Sequence, residues 1–187
     1  MFSSSIDDHL ALRQFSLSDA EQAYALIDHD RERLSVYLPW VESIHCVADQ
    51  RRSMTPLVEY DPDARLSCWL TYDDAIIGAA GLPVIDRDAL WGEIGYWIDS
   101  AHEGKGMITA AVRELERICF TDLGLERVQI TVDARNTRSR AVPERLGYTL
   151  EGVLRHHLVS GHGVIVDQCV YGLLKPEWQA RALVDPV

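Results

Sequence analysis

The chain has 187 residues, and its 18 Lys and Arg against 29 Asp and Glu give a formal net charge of −11. This charge argues against a nucleic-acid partner or an anionic membrane surface, because both require a basic face on the protein. It suits a cationic substrate such as an amine, although an ordinary solvated acidic surface is the simpler explanation. With 47% hydrophobic residues, the composition is that of a folded domain rather than a disordered chain.

The four cysteines are scattered among apolar neighbours, at Cys46, Cys68, Cys119 and Cys169. We therefore expect reduced thiols in the core rather than disulfides, and no metal site. No apolar run approaches the length of a membrane span, and the first residues lack the pattern of a signal peptide. The sequence thus predicts a single domain over residues 1–187, located in the cytoplasm, with no nucleic-acid and no membrane partner.

Residues 18–60, which lie between the first two strand patterns of the chain, are predicted to contain helices. Ser18, with a glutamate three residues later, has the spacing of a helix N-cap. Residues 34–40 are apolar and aromatic and are broken by Pro39. Residues 47–60 have the composition of a second helical segment, interrupted at Pro56. We expect this aromatic region to fold over a cleft.

Seven stretches have the apolar patterns of strands, at residues 10–15, 66–72, 76–85, 90–98, 127–132, 148–154 and 164–174. An amphipathic helix over 108–123, ended by Gly124, lies between the fourth and fifth of them, and a short helix is predicted over 139–146. Tight turns indicate an antiparallel N-terminal meander and a closing hairpin, and the strand–helix–strand order indicates a parallel, right-handed crossover. The predicted fold class is α+β, with a mixed central sheet of about seven strands.

A glycine turn opens the long helix. Residues 103–108 read Glu-Gly-Lys-Gly-Met-Ile and follow a strand and a short polar turn. Glycines let the backbone approach a ligand closely, and the first N–H groups of a helix favour an anion such as a phosphate. On spacing alone a purely structural turn is the more frequent explanation. The turn is neither a P-loop nor a dinucleotide fingerprint.

Further motifs accompany the turn in a fixed order: Glu-Ile-Gly-Tyr-Trp-Ile at 93–98, Asn-Thr-Arg-Ser at 136–139, Pro-Glu-Arg-Leu-Gly-Tyr at 143–148 and Glu-Gly at 151–152. With these motifs the chain resembles the GNAT superfamily of N-acetyltransferases, and within it the RimJ/RimL-like branch that acetylates protein N-terminal amines. Residues 37–40 and 171–178 are similar to the same branch, so the resemblance covers nearly the whole chain. It implies direct acetyl transfer from acetyl-CoA to a primary amine in a ternary complex.

The resemblance also implies the cofactor-binding residues, which are Ile98, Glu103, Gly104, Lys105, Gly106, Met107, Ile108, Asn136 and Ser139. Backbone amides of the glycine turn would hold the pyrophosphate, and Asn136 would bind the pantetheine arm, with an Asx-turn as the alternative for Asn136. Two positions depart from the family pattern, since Glu103 replaces a Gln or Arg and Ile108 replaces a Gly or Ala. A carboxylate at 103 is expected to repel the phosphates unless it points away, and Lys105 is the cation expected to offset it.

Ser139 and Glu93 are the candidate catalytic residues. The resemblance implies Ser139 as the acid that protonates the departing thiolate, because Pro143 replaces the tyrosine of many other members; an N-cap of the short helix is the alternative. Glu93 is the candidate base or substrate-orienting group because it is a carboxylate in an apolar, aromatic strand, and an ordinary solvent-facing charge is the alternative. Gly92 and Gly95 suggest a break in that strand with an N–H free to stabilise an oxyanion.

Tyr37 and Trp40 are candidates for the acceptor-binding pocket, together with Glu93. A place in the core beneath the first helices is the alternative for the two aromatic residues. We expect the acceptor to be the N-terminal amine of a protein or peptide. A small-molecule amine (a polyamine, amino acid or antibiotic) and a non-catalytic acyl-CoA sensor on the same fold are the alternatives. The protein is expected to be a monomer or a homodimer.

Overall fold

The computed structural model describes residues 2–58 and 64–184, which form one sheet flanked by helices. The strands are β1 Ser3–Ser5, β2 Leu10–Gln14, β3 Leu66–Tyr72, β4 Ala75–Asp86, β5 Trp91–Ile98, β6 Arg127–Asp133, β7 Thr149–Val159 and β8 Ile165–Leu174. The helices are α1 Ala20–His29, α2 Arg31–Ser35, α3 Val47–Val58, α4 Met107–Arg117, α5 Thr137–Arg145 and α6 Lys175–Val184. Short 3₁₀ turns include Leu17–Asp19, Pro39–Ser43 and Ser100–His102.

The sheet has the strand order β1-β2-β3-β4-β5-β6-β8-β7. Neighbouring strands are antiparallel except for β5 and β6, which are parallel. These pairings confirm the predicted α+β class, the meander, the parallel crossover and the closing hairpin. The predicted count of about seven strands becomes eight within the described residues, because Ser3–Ser5 pairs with β2 although consecutive serines carry no strand pattern.

The parallel strands β5 and β6 separate after a short contact. They pair over three residues, ending at Glu93 opposite Gln129. Beyond that point β5 continues along β4 to Ile98, whereas β6 continues along β8 to Asp133. Beyond Glu93 the backbone edges of β5 and β6 that face each other are therefore not hydrogen-bonded to each other. Their N–H and C=O groups can bind a ligand in the gap.

Helices cover both faces of the sheet. Apolar side chains repeat along α4 at helical spacing, and Ala111 and Leu115 are fully buried in the main core against the sheet. On the opposite face α1 and α3 enclose a second core in which the Phe15 ring stacks on Trp69 at a centroid distance of 3.9 Å. After a π-helical turn, Gly124 ends the α4 segment with φ 66°, as predicted. No described helix is long and apolar enough to cross a membrane.

Two helix predictions need correction. Ser16, rather than Ser18, caps the 3₁₀ turn that leads into α1, because Asp19 completes a capping box with it. Pro56 lies inside α3 and does not interrupt it, since a proline in the last turn removes one backbone hydrogen bond without breaking the preceding turns. The predicted helical residues 59 and 60 lie outside the described residues.

The cysteine prediction holds for three of the four thiols. Cys68, Cys119 and Cys169 are buried and free, whereas Cys46 is exposed. Burial raises the pKa of the Cys68 thiol to about 12, which keeps it in the protonated, unreactive form. Cys46 directly precedes α3 and is exposed, although the next residue, Val47, is apolar.

Candidate active site

A cavity of about 840 Å³ lies at the end of β5, beyond the point where β6 has separated from it, and this volume is typical of ligand sites. Its walls are formed by α2 and the residues after it, the end of β5, the glycine turn and the helices α4 and α5. The lining residues are Arg33, Leu34, Tyr37, Leu38, Tyr96, Trp97, Ile98, Ser100, His102, Glu103, Gly104, Gly106, Met107, Ile108, Thr109, Asn136, Arg138, Ser139, Ala141, Val142 and Arg145. The structure thus brings the predicted cofactor-binding residues together, except for Lys105, which is exposed on the turn.

The glycine turn has the geometry of an anion cradle. Gly104 and Gly106 have φ angles of 74° and 80°, which side-chain-bearing residues rarely adopt. A Cβ placed on either glycine would meet no atom within 4 Å, so the space over the turn is open. Gly106 is the N-cap of α4 and offers no side-chain cap. The first N–H groups of α4 are therefore available to an anion, and the turn fits a pyrophosphate.

Several cationic side chains line the cavity near this turn. Arg33 comes from α2, whereas Arg138 and Arg145 come from α5. Arg145 Nη1 donates a hydrogen bond to Thr109 Oγ1 at 3.1 Å, which holds it at the first turn of α4. These three arginines outnumber Glu103, the carboxylate among the lining residues, so the charged groups around the cavity favour an anionic ligand in a chain of net charge −11.

Glu103 is neutralised by two of these arginines. Arg33 Nη1 donates to Glu103 Oε1 at 2.6 Å, and Arg138 Nη1 donates to Glu103 Oε2. The carboxylate is therefore paired rather than free to repel a phosphate on the turn. The expectation that Lys105 offsets this charge was wrong, because Lys105 is exposed and the arginines of α2 and α5 reach Glu103 instead.

Arg33 is fixed by three acceptors. Besides Glu103, its Nη2 donates to Asp30 Oδ2 and to the carbonyl oxygen of Ile98, each at 2.6 Å. Asp30 also accepts from the N–H and Oγ of Ser100, at 2.6 and 2.8 Å. Burial opposes ionisation of Asp30, but the hydrogen bonds from Arg33 and Ser100 outweigh it and hold the pKa of this carboxyl below its usual value. These contacts tie α2 to the end of β5.

Asn136 caps α5. Its Oδ1 accepts a hydrogen bond from the N–H of Ser139 at 3.1 Å. The cap proposed as the alternative role of Ser139 is therefore wrong, because Asn136 occupies the N-cap and Ser139 lies in the first turn. For Asn136, this side-chain contact with a backbone N–H resembles the Asx-turn that was the alternative from the sequence. Asn136 also lines the cavity.

Ser139 instead contacts Tyr96, a residue that was not among the candidates from the sequence. Ser139 Oγ donates to the Tyr96 hydroxyl at 3.3 Å, and that hydroxyl donates to the carbonyl oxygen of Ser139 at 2.9 Å. Burial raises the pKa of Tyr96 far above its usual value, so the phenol stays protonated. The sequence did contain an indication of this residue. Tyr96 lies two residues from Ile94 and from Ile98, so the strand period places its side chain on the same face of β5 as these two core residues.

Comparison with known proteins decides the family. The family model described as "Acetyltransferase (GNAT) domain" matches residues 9–149. The chain belongs to this family. The match spans most of the sheet, the glycine turn and α5, which are the elements that build the cavity, and it confirms the resemblance read from the motifs.

Relatives cover nearly the whole chain. It is 36% identical to a Bacillus subtilis protein named "Putative ribosomal N-acetyltransferase YdaF", over 97% of this chain and 100% of that protein. It is 26% identical to the "Ribosomal-protein-serine acetyltransferase" of Escherichia coli, over 80% of this chain and 84% of that protein. A solved structure of microcin C7 self immunity acetyltransferase MccE, in complex with acetyl-CoA and AMP, superposes with a TM-score of 0.84 at 26% identity, covering 90% of this chain and 94% of that one.

The protein is therefore a GNAT N-acetyltransferase that uses acetyl-CoA. The open glycine turn, the uncapped start of α4 and the arginines at the cavity mouth fit the phosphates of this cofactor. The gap between β5 and β6 presents backbone groups that fit an arm containing amides.

Glu93 of this GNAT domain lies where β5 and β6 separate. Its carboxylate accepts hydrogen bonds from Thr131 Oγ1 at 2.8 Å and from Gln129 Nε2 at 3.4 Å. It is half-buried, so it is not a freely solvated charge, and it is not among the residues that line the cavity. Glu93 shares a strand face with Trp97, and Gly95 between them has no side chain. This face of β5 is therefore unobstructed from Trp97 to Glu93 by the strand's own side chains.

The predicted break in β5 was placed in the wrong strand. The register of β4 and β5 shifts between Gly81 and Val84, so the extra residue belongs to β4. Gly92 serves packing instead, because a Cβ there would approach Leu125 Cδ1 at 3.1 Å. Free backbone groups on β5 arise from the departure of β6 after Glu93.

Tyr37 and Trp40 lie on the α2 side of the site. Tyr37 is half-buried and lines the cavity next to Leu38. Trp40 does not line it, but its ring lies 6.2 Å from that of Trp97, and 39% of the residue is exposed. The core position considered as an alternative for Trp40 is therefore wrong, because a core residue would be covered.

Proposed function

We propose that this GNAT acetyltransferase acetylates the N-terminal amine of a protein or peptide. The observation that carries the proposal is the strand face from Trp97 over Gly95 to Glu93, which offers an extended chain end a path to a carboxylate. Exposed Trp40 beside Trp97 provides an apolar contact at the start of that path. The names of the relatives in Bacillus subtilis and Escherichia coli support a ribosomal-protein acceptor. The net charge of −11 favours a cationic chain end.

Glu93 is the proposed proton acceptor for the amine. An amine attacks only in its neutral form, so a base must take its proton directly or through water. The hydrogen bonds from Thr131 and Gln129 fix the orientation of the Glu93 carboxylate. They leave it at the end of the open strand face, where an ammonium group that reaches Glu93 would form a charge-assisted hydrogen bond.

Ser139 is the proposed proton donor at the opposite side of the gap: its hydroxyl passes a proton to the departing sulfur while its oxygen takes one from solvent water, so the serine ends unchanged. Acetyl-CoA, when bound, supplies the acetyl group as a thioester whose sulfur needs a proton on departure. The Ser139 hydroxyl borders the cavity and is held by Tyr96, which fixes its rotamer. Because the Tyr96 hydroxyl donates its hydrogen to the Ser139 carbonyl oxygen and accepts one from Ser139 Oγ, its proposed role is to position Ser139. The free backbone N–H groups of β5 are the proposed oxyanion donors.

An acceptor panel tests the proposal. The purified protein is mixed with acetyl-CoA and peptides that begin with Ser, Ala or Thr, and release of free thiol is followed while mass spectrometry locates the acetyl group. The matched control is each peptide with its N-terminus already acetylated and an internal lysine left free. We expect thiol release and an acetylated α-amine with the free peptides, and no reaction with the blocked ones.

Small amines complete the panel with a polyamine, a free amino acid and an aminoglycoside. Turnover of a small amine without turnover of any peptide would replace the proposed acceptor with a small molecule. Acetylation of the internal lysine in blocked peptides would contradict the proposal. A chain end that lies along β5 brings its α-amine, and not a lysine side chain, to Glu93.

A further inference from the structure

The ion pairs of Glu103 differ in how firmly they are held. Arg33 has three acceptors and a side chain that is 34% exposed. The side chain of Arg138 is 80% exposed, and Glu103 is its single hydrogen-bond acceptor among the described residues. An exposed pair of this kind is weak because solvent and salt screen it. Arg138 can therefore leave Glu103 at little cost, whereas Arg33 cannot.

Arg138 lies where a phosphate on the glycine turn could compete with Glu103 for its guanidinium. Its guanidinium pairs with Glu103, which directly precedes the open glycine turn, and both residues line the cavity. A phosphate seated on the turn would lie within reach of that guanidinium. The pyrophosphate of acetyl-CoA carries two negative charges against one on the carboxylate, and it offers more acceptor oxygens, so it competes well for Arg138.

We propose that Glu103 is an internal counter-anion, which holds Arg138 at the cavity mouth until a phosphate of acetyl-CoA replaces it. On binding, Arg138 exchanges the carboxylate for the phosphate, and Glu103 keeps its pair with Arg33. This inference rests on acetyl-CoA being the donor. It explains how a carboxylate is tolerated where the family pattern has Gln or Arg. Because acetyl-CoA and CoA share the phosphates, the competition lowers the affinity for both alike.

Calorimetric titration with CoA tests the exchange in four forms of the protein: wild type, Glu103→Gln, Arg138→Gln and the double variant. We expect Glu103→Gln to bind about three- to fivefold more tightly, because an exposed ion pair no longer has to break. Arg138→Gln should bind about tenfold more weakly, because a charge-assisted contact to phosphate is lost. The double variant should bind like Arg138→Gln, since Glu103 acts through Arg138.

Arg52→Gln is the matched control. Arg52 has a side chain that is 76% exposed and is paired with Asp49 on α3, outside the cavity, so CoA affinity should not change. Pantetheine, which has no phosphate, should bind all variants alike. Weaker CoA binding by Glu103→Gln would overturn the proposal, because Glu103 would then be positioning the arginines for the cofactor. Tighter binding that persists in the Arg138→Gln background would also overturn it, because simple repulsion would be the cause.

The outcomes separate this inference from the proposed function. If the wild type binds no CoA, the donor assignment and the exchange fail together. If it binds CoA and acetylates peptides but the four forms have equal affinities, the exchange alone is wrong. Melting temperatures measured on each form identify any variant that fails to fold, and Gln at 103 can still accept the hydrogen bond from Arg33.

Discussion

Tyr96 and Ser139 exchange hydrogen bonds across the gap between β5 and α5. Ser139 Oγ donates to the Tyr96 hydroxyl at 3.3 Å, and this hydroxyl donates to the Ser139 carbonyl at 2.9 Å. The Ser139 hydroxyl is thus oriented by a neighbour whose own hydrogen is already donated to the Ser139 carbonyl oxygen. A serine held in this way keeps its Oγ in place beside the cavity, and rotation about the Cβ–Oγ bond can direct the hydroxyl hydrogen to a group there.

Replacing Ser139 by alanine should remove the proposed proton donor. We expect kcat to fall by about 10²- to 10⁴-fold, the usual range for a general acid, with CoA affinity nearly unchanged. The melting temperature should also stay constant, because Asn136 and not Ser139 caps α5. Thr137→Ala on the same helical turn is the control, and both rate and stability should match the wild type. A normal kcat in Ser139→Ala would assign the proton to water.

Replacing Tyr96 by phenylalanine should lower kcat by a smaller factor, about three- to tenfold, because one orienting hydrogen bond is lost while the ring is kept. The double variant with Ser139→Ala should be no slower than Ser139→Ala alone, since two residues acting as one unit are not additive. Steady-state rates of the three variants at saturating acetyl-CoA measure this. Multiplying effects in the double variant would mean that Tyr96 acts independently of Ser139.

The sequence predicted the elements that depend on local pattern and missed the contacts that depend on the fold. Strand patterns and the glycine turn were sufficient for β2 to β6, for β8 and for the start of α4, whereas β7 continues to Val159, beyond its predicted end at residue 154. The cap was predicted at Ser18 from the glutamate three residues later, but Ser16 has an acidic residue, Asp19, at the same spacing and is the cap in the structure. Arg33 and Arg138 could not be paired with Glu103 from the sequence, since 70 and 35 residues separate them from it.

The pH dependence of Glu93→Gln tests the base. If Glu93 accepts the proton of the amine, the variant should be slowest relative to wild type near about pH 6 and should approach it near about pH 9. The reason is that more of the amine is already neutral at high pH, so less help is needed. Glu126→Gln, an exposed glutamate paired with Lys175, is the control. An equal loss at every pH would leave Glu93 an orienting role only.

The proposed acceptor path along β5 makes Gly95 a sensitive position, because this residue adds no side chain between Trp97 and Glu93. A Cβ there would contact Pro83 at 3.6 Å, an ordinary van der Waals distance, so Gly95→Ala should fold. Gly95→Val should place methyl groups on the path to Glu93 and raise KM for peptides by about tenfold or more, with CoA affinity unchanged. Kinetics with peptide and with a small amine measure this. A KM for peptides that does not change would mean that the acceptor takes another route.

A buried glutamate on α4 makes stability depend on pH. Glu116 is 2% exposed and accepts a hydrogen bond from Arg181 of α6 at 3.0 Å. Burial raises the pKa of Glu116 to about 7, although the positive charge of Arg181 acts to lower it. The folded protein therefore holds a proton on Glu116 at a pH where the unfolded chain has lost it.

The sign of the effect follows from that difference in bound protons. Between the ordinary glutamate pKa and about pH 7, the folded state binds more protons at this site than the unfolded state, so the contribution of Glu116 to the free energy of unfolding falls as pH rises and levels off above about pH 7. Glu116→Gln cannot ionise, so its stability relative to wild type should improve from about pH 5 to about pH 8, by up to about 3 kcal/mol. Arg181→Met removes the cation that favours the charged form of Glu116, so it should extend the decline to higher pH, because only the folded-state pKa at the upper end rises. Urea unfolding at several pH values measures all three proteins. A difference between Glu116→Gln and wild type that is constant with pH would mean that Glu116 is already ionised throughout the range.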